Sequence, residues 1–282
     1  MECWNTSGYD RDLFEMVLRS VQPDDPVGRV MEVLLWRGFL VERRGDVLFL
    51  ASHYPRDDLM MLRRFGILRE HPALLKEAPL NEPFPILSTS KSQNGKTLVS
   101  EESLFKLFAT TVRFGMSGPF DYGGRVNESW GSFLRLQYGP KVPVRSLDPG
   151  IALLVKTMPL LGLHTAMSCD GHTREPPVIT FFSRYHLSWA SLALPQFMPK
   201  NDAFAAQWRF GTVGGGWSQY QWHLGIKGCG RGLKRRFELY SNIQRLCRNI
   251  MYAELAAEAR ACKQRLTHPK DLQDSERCNF SG

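Results

Sequence analysis

Two short stretches of the chain combine side chains that can do chemistry. The first runs from His164 to His172 and reads HTAMSCDGH. Its Asp-Gly pair is typical of a tight turn, so we expect Cys169 and His172 to be displayed at the end of a strand. Cys169, Asp170 and His172 are therefore candidate catalytic residues, with Cys169 as a nucleophile whose thiolate a nearby imidazole favours.

The same stretch offers ligands for a metal ion. Thiolate and imidazole groups are ligands that Zn²⁺ prefers in proteins. The candidate ligands are His164, Cys169 and His172, with His223 as a fourth from elsewhere in the chain. The spacing matches no standard zinc signature, so a plain hairpin turn with a buried cysteine and a surface histidine stays open beside the catalytic and metal-binding interpretations.

The second stretch, KGCGRGLKRR, follows a strand-like run and precedes a long helical run. Alternating glycines let backbone N–H groups turn toward one point, and a helix start adds unpaired N–H groups and a partial positive charge. Both features favour a bound anion, most plausibly phosphate. The candidate phosphate-binding residues are Lys227, Gly228, Gly230, Arg231, Gly232, Lys234, Arg235 and Arg236. The alternative is a tight strand-to-helix connection with solvated cations.

The net charge of +8 is concentrated near this second stretch. Residues 227–266 contain ten Lys or Arg and three Glu, a net charge of +7. A localised basic segment indicates a polyanionic partner. The leading hypothesis is therefore a nucleic-acid-associated accessory protein, for DNA or RNA, of a mobile element or a defence system. The alternatives are a metal- or cysteine-dependent hydrolase or transferase centred on residues 164–172, and a non-catalytic inhibitor or adaptor that binds an acidic protein.

Hydropathy and cysteine usage indicate the cellular compartment of the protein. No apolar run approaches the length of a membrane span, and the first residues lack the basic and apolar regions of a secretory signal. The six cysteines have no repeated spacing and form no C-x-x-C pair, so we interpret them as reduced thiols. These patterns predict a cytoplasmic protein with no membrane partner.

Helical and strand periodicities predict an α+β fold. It consists of a small helix–hairpin–helix N-terminal domain, then a larger domain with an antiparallel sheet, flanking helices and a long C-terminal helix. Predicted helices cover 9–21, 26–38, 56–68, 150–158 and 233–266, and another follows Ser100; predicted strands cover 39–42, 47–51, 163–168, 178–182, 207–212 and 217–226. The predicted units are a docking-like domain (1–80), a linker (81–99), a main domain (100–266) and a disordered polar tail (267–282).

The N-terminal segment resembles a known docking module. Its matching stretches are LLWRGFLV at 34–41, GDVL at 45–48 and LREHPALL at 68–75. Over residues 26–79 this order resembles the TubC-like N-terminal docking domain of synthetase subunits and mobile-element accessory proteins. Pro72 departs from the continuous helix of that pattern. The resemblance implies docking to a protein partner and contributes no catalytic residue.

Overall fold

The computed structural model describes residues 7–51, 54–68, 83–88, 99–110, 130–135, 143–170, 177–181, 184–198, 208–212, 222–226, 232–252 and 254–266. The helices are α1 Ser7–Arg19, α2 Pro26–Arg37, α3 Arg56–Arg64, α4 Glu101–Ala109, α5 Trp130–Arg135, α6 Ile151–Thr157, α7 Arg184–Ala193, α8 Leu233–Tyr252 and α9 Glu254–Gln264. The strands are β1 Val41–Arg44, β2 Val47–Leu50, β3 Phe84–Ser88, β4 Thr165–Cys169, β5 Val178–Phe181, β6 Trp208–Thr212 and β7 Trp222–Ile226. Short 3₁₀ turns cover Val144–Ser146, Met158–Leu161 and Leu194–Phe197.

Local capping interactions fix both ends of helix α2. The Asp25 side chain accepts a hydrogen bond from the Gly28 N–H, and Pro26 occupies the first turn. Gly38 ends the helix with φ of 105°, a left-handed conformation that favours glycine. A Cβ at Gly38 would lie 2.6 Å from the Ala152 Cβ, so this glycine also lets α2 approach α6.

The first sheet corrects the predicted linker. Strand β2 pairs antiparallel with β1 on one side and with β3 on the other. Residues 84–88 are therefore strand, although 81–99 is predicted as a linker. Pro85 lies opposite Phe49, where the register shifts, and β3 is an edge strand. Such a position tolerates a proline because no ladder hydrogen bond needs its missing N–H.

The second sheet has the antiparallel order β4-β5-β7-β6. The predicted hairpin between β6 and β7 is confirmed, with Trp208 opposite Ile226 and Thr212 opposite Trp222. Strand β7 inserts between β5 and β6, so β4 forms one edge of the sheet. Residues 213–221 and the predicted tail 267–282 lie outside the described residues. The predicted C-terminal helix is present as α8 followed by α9.

The α+β fold class is confirmed, and the helix–hairpin–helix unit α2-β1-β2-α3 is present. That unit does not have a core separate from the remainder of the described chain. Trp36 of α2 stacks on Phe237 of α8 at 5.6 Å between ring centroids. Asp58 of α3 and Lys156 of α6 form a buried ion pair at 2.8 Å. One continuous hydrophobic cluster therefore joins the two predicted domains, and whether the unit is TubC-like stays a prediction.

Within the described ranges, no helix is both long enough and apolar enough to cross a membrane.

Candidate functional site

The end of β4 is held in place by helix α8. Arg236 of α8 donates a hydrogen bond from its guanidinium to the backbone carbonyl of Asp170. Tyr240 donates from its hydroxyl to Oδ2 of Asp170 at 3.0 Å. Arg236 and Tyr240 are four residues apart and share one helix face. The two candidate stretches found in the sequence, around residues 164–172 and 227–236, therefore meet at Asp170.

A third segment, the loop that leads into α6, brings a second carboxylate to this point. The backbone N–H of Asp170 donates to Oδ2 of Asp148 at 3.1 Å. The Cys169 thiol and one oxygen from each carboxylate all lie within 4.8 Å of one another. We call Asp148, Cys169 and Asp170 the Asp–Cys–Asp centre. One thiol and two carboxylates at this separation are a plausible ligand set for a divalent cation.

The three members of the centre differ in burial. Asp170 is 2% exposed, whereas Asp148 and Cys169 are half-buried. Asp148 and Cys169 are therefore the members of the centre that solvent partly reaches. A catalytic metal site requires such access, because some of its coordination positions must stay open to water or substrate.

Two buried guanidinium groups offset the negative charge of the centre. Arg236 is 2% exposed and Arg37 is fully buried. One nitrogen of Arg37 donates to the carbonyl oxygens of Val144 and Leu147, each at 2.7 Å. Burial lowers the pKa of Arg37 to about 10, with the Asp148 carboxylate opposing the shift. Arg37 therefore stays cationic at neutral pH.

The charge of Asp170 also acts on two buried phenols. Burial raises the pKa of Tyr240 well above its ordinary value, and the Asp170 charge adds to the effect. Burial likewise raises the pKa of Tyr9 in α1, again with help from Asp170. Both hydroxyls therefore stay protonated at neutral pH. The hydroxyl of Tyr9 is buried and has no hydrogen-bond partner among the residues that the structure describes.

Of the predicted histidine ligands, the structure describes the side chain of His164 alone, and that residue does not join the centre. His164 precedes β4 and lies five residues before Cys169, or roughly 16 Å along the strand at about 3.3 Å per residue. Its ring stacks on that of His186 with centroids 5.3 Å apart. His223 lies in β7 opposite Thr180, with β5 between it and β4. The predicted set of His164 with Cys169 is therefore wrong, and His172 lies outside the described residues.

The predicted phosphate-binding stretch is described only at its helical end. Lys227, Gly228, Gly230 and Arg231 lie outside the described residues. Gly232 has φ of 115°, a backbone conformation that favours glycine. Lys234 and Arg235 are exposed in the first turn of α8. Arg236, which is predicted to bind phosphate together with them, instead points inward and bonds to the Asp170 carbonyl.

The basic segment is also not one continuous cationic surface. Lys263 is 2% exposed and donates to the carbonyl of Gly162 at 2.6 Å. Arg260 donates to the carbonyl of Leu160 at 2.9 Å, and Arg248 lies 3.4 Å from Glu32. These cations anchor α8 and α9 to the rest of the fold. Much of the +7 charge of residues 227–266 therefore lies on side chains that bond to other parts of the fold.

Sequence reasoning missed four residues of the site: Asp148, Tyr240, Tyr9 and Arg37, the last of which is visible only within the LLWRGFLV stretch. Asp148 is visible in the sequence only as a helix start, because Asp148-Pro149 is a common opening dipeptide. Tyr240 fits the apolar stripe of α8, and Tyr9 belongs to an ordinary first helix. The only available signal was the four-residue spacing of Arg236 and Tyr240, which places a cation and a phenol on one helix face.

Comparison of the chain with protein-family models, with curated proteins and with solved structures found no match.

Proposed function

We propose that the protein is a metal-dependent hydrolase or transferase whose reactive centre is Asp148, Cys169 and Asp170. The observation that supports this proposal is the convergence, within 4.8 Å, of three metal-ligating groups from two separate segments of the chain. The two carboxylates repel each other at this separation, and a bound divalent cation would relieve that repulsion while taking the Cys169 sulfur as a third ligand.

Zinc is the cation that best fits these donors. It accepts both thiolate and carboxylate ligands, whereas Mg²⁺ and Ca²⁺ favour oxygen ligands alone. Asp148, Cys169 and Asp170 would hold the ion, and a bound zinc would supply a water that is more acidic and more nucleophilic than bulk water. The sequence also allows a bare cysteine nucleophile at Cys169, but two adjacent carboxylates favour a metal ligand over a free thiolate.

The substrate class follows from the cations at the start of α8. Lys234 and Arg235 are exposed one turn or less from Arg236, which contacts Asp170. Together with the positive end of the helix they favour an anionic group beside the centre. We propose a phosphate-containing substrate. The thiols of Cys169, Cys247 and Cys262 are not in disulfides, which supports the proposal of a cytoplasmic location.

Cobalt binding to the purified full-length chain tests the metal centre. Co²⁺ replaces Zn²⁺ in such sites, and thiolate ligation produces a charge-transfer absorption that water or carboxylate ligation does not. We expect one Co²⁺ per chain with this absorption. Cys169→Ser should abolish the absorption, and Asp148→Asn should weaken binding at least about 10-fold. Asparagine at 148 can still accept the hydrogen bond from the Asp170 N–H. The variant therefore separates a loss of metal binding from a loss of the hydrogen bond that holds this loop.

The matched control is Cys262→Ser, because Cys262 is an exposed thiol outside the centre. This variant should bind Co²⁺ like the wild type and show the same absorption. Failure of the wild type to bind Co²⁺ stoichiometrically, or equal binding by Cys169→Ser, would contradict the proposal.

A second candidate function is nucleic-acid binding by a non-catalytic accessory protein. The exposure of Lys234 and Arg235 in the first turn of α8 favours it. The double variant Lys234→Gln/Arg235→Gln should flatten the slope of log affinity against log salt by about 1.8, or 0.9 per lost phosphate contact. Arg19→Gln/Lys106→Gln removes the same charge from other helices and should change the slope less. Equal slopes for both double variants would show that only net charge matters.

A further inference from the structure

Tyr240 contacts both segments that supply the carboxylates of the Asp–Cys–Asp centre. Its hydroxyl donates to Oδ2 of Asp170 at 3.0 Å. Its ring packs on the backbone of Gly150, two residues after Asp148, so closely that a Cβ at Gly150 would lie 2.6 Å from three ring carbons. Tyr240 is 1% exposed, and a side chain packed this tightly is held in one orientation.

The carboxylate of Asp170 depends on its bonding partners for its orientation. The terminal torsion of an aspartate is broad, so the groups that bond to the carboxylate set its plane more than the rotamer does. Asp170 is 2% exposed, so bulk water contributes little to this. Tyr240 offers a donor at a position that its packed ring fixes. The Tyr240 hydroxyl therefore helps to set the direction in which the Asp170 carboxylate faces.

The segment that carries Asp148 is held by the same ring and by helix α2. The Gly150 N–H donates to the Trp36 carbonyl at 2.7 Å. The Trp36 ring meets the Tyr240 ring edge-on, with centroids 4.9 Å apart. The Asp170 N–H donates to Oδ2 of Asp148 at 3.1 Å and links the two carboxylate segments. The separation of the two carboxylates therefore depends on one side chain of α8.

We infer that Tyr240 is a positioning residue of the Asp–Cys–Asp centre, which holds the two carboxylates at a separation and orientation that bind a divalent cation. The inference rests on the proposed function and deepens it by naming the side chain on which metal affinity depends. Groups that hydrogen-bond to metal-ligating residues typically contribute about 10–100-fold to metal affinity. A Tyr240 with a purely structural role would affect folding stability and leave metal affinity unchanged.

The test measures the Co²⁺ affinity of the full-length protein, followed by the thiolate charge-transfer absorption. Tyr240→Phe keeps the ring on Gly150 and removes only the hydroxyl. We expect Co²⁺ to bind about 10-fold more weakly, because the Asp170 carboxylate loses the donor that orients it. The stoichiometry and the charge-transfer absorption at saturation should match the wild type, because Cys169 still ligates the ion.

The matched control is Tyr54→Phe, which removes a buried phenol hydroxyl that bonds only to backbone groups among the printed contacts of α2 and its C-terminal end. The hydroxyl of Tyr54 accepts from the Leu40 N–H at 2.6 Å and donates to the Gly38 carbonyl at 2.7 Å. This variant should lower the midpoint of urea unfolding and bind Co²⁺ like the wild type. Unchanged Co²⁺ affinity in Tyr240→Phe, or an equal loss in Tyr54→Phe, would overturn this inference alone. Absence of Co²⁺ binding by the wild type would overturn the proposed function and this inference together.

Urea unfolding of metal-free Tyr240→Phe establishes whether this variant folds cooperatively. If it does not, the comparison is made between Asp170→Asn and Asp170→Asn/Tyr240→Phe, in which no charged Asp170 is left without its phenol donor. The double variant should bind Co²⁺ at least about 3-fold more weakly than Asp170→Asn, as for the loss of one neutral hydrogen bond that orients a ligand. Equal affinities of these two variants would likewise overturn the inference.

Discussion

Replacing Lys156 with Met should reveal how strongly the N-terminal unit is coupled to the rest of the fold. Lys156 donates from Nζ to Oδ2 of Asp58 at 2.8 Å, across 98 residues of sequence. The side chains are 6% and 1% exposed. Methionine fills similar space but carries no charge, so Lys156→Met leaves the buried Asp58 carboxylate with the Val144 N–H as its one remaining hydrogen-bond donor among the described residues. Removal of one partner of a buried pair typically costs about 3–5 kcal/mol.

Protonation of Asp58 limits this cost. Burial already raises the pKa of Asp58, and Lys156 opposes the shift, so the variant should raise that pKa further. An aspartate with an unfolded pKa of about 3.9 takes up a proton at pH 7 at a cost of about 4 kcal/mol. The destabilisation should therefore be about 3–4 kcal/mol at pH 7. Because a raised folded pKa favours the folded state at low pH, the loss should shrink to about 1.5 kcal/mol at pH 5.

Urea unfolding at pH 7 and pH 5 measures both quantities. The matched control is Lys106→Met, which removes a lysine from an exposed pair with Glu102 at 3.5 Å, with side chains 64% and 62% exposed. Its loss should stay below about 0.5 kcal/mol at either pH. In the Lys156→Met background, Asp58→Asn should recover most of the stability lost at pH 7. A loss at pH 7 that matches the control, or that does not change with pH, would refute the coupling.

Two further predictions concern the shared core. Gly150 has φ of 82°, and a Cβ there would lie 2.6 Å from the Tyr240 ring, so Gly150→Ala should lower the free energy of unfolding in urea by about 2–4 kcal/mol. The control is Gly45→Ala, which has φ of 61° and no neighbour within 4 Å of the added Cβ, and it should cost about 1 kcal/mol. Equal losses in the two variants would contradict the packing argument. A fragment that begins at residue 90 lacks Trp36 and Asp58 and should show no cooperative unfolding by circular dichroism, whereas a cooperatively folded fragment would restore the two-domain interpretation.

The sequence by itself determined the elements whose signals are local. The start of α2 follows from Asp25-Pro26 and its end from Gly38, because capping bonds join residues three or four apart. Ser100 begins α4 in the same way, by accepting from the Ser103 N–H. The turn between β1 and β2 and the pairing of β6 with β7 were predictable because neighbouring strands with turn residues between them pair readily.

Only the tertiary structure decided which of these elements meet. Asp148 and Asp170 are 22 residues apart, and Asp58 and Lys156 are 98 apart, so no local spacing brings either pair together. The sequence also cannot tell an exposed cation from a buried one: Arg235 and Arg236 are neighbours, yet one is solvated and the other bonds to Asp170. The helical period turns successive side chains by about 100°, and the partner on each face is set by the fold. The Asp–Cys–Asp centre exists because β4, α8 and the loop before α6 converge, which is a property of the whole core.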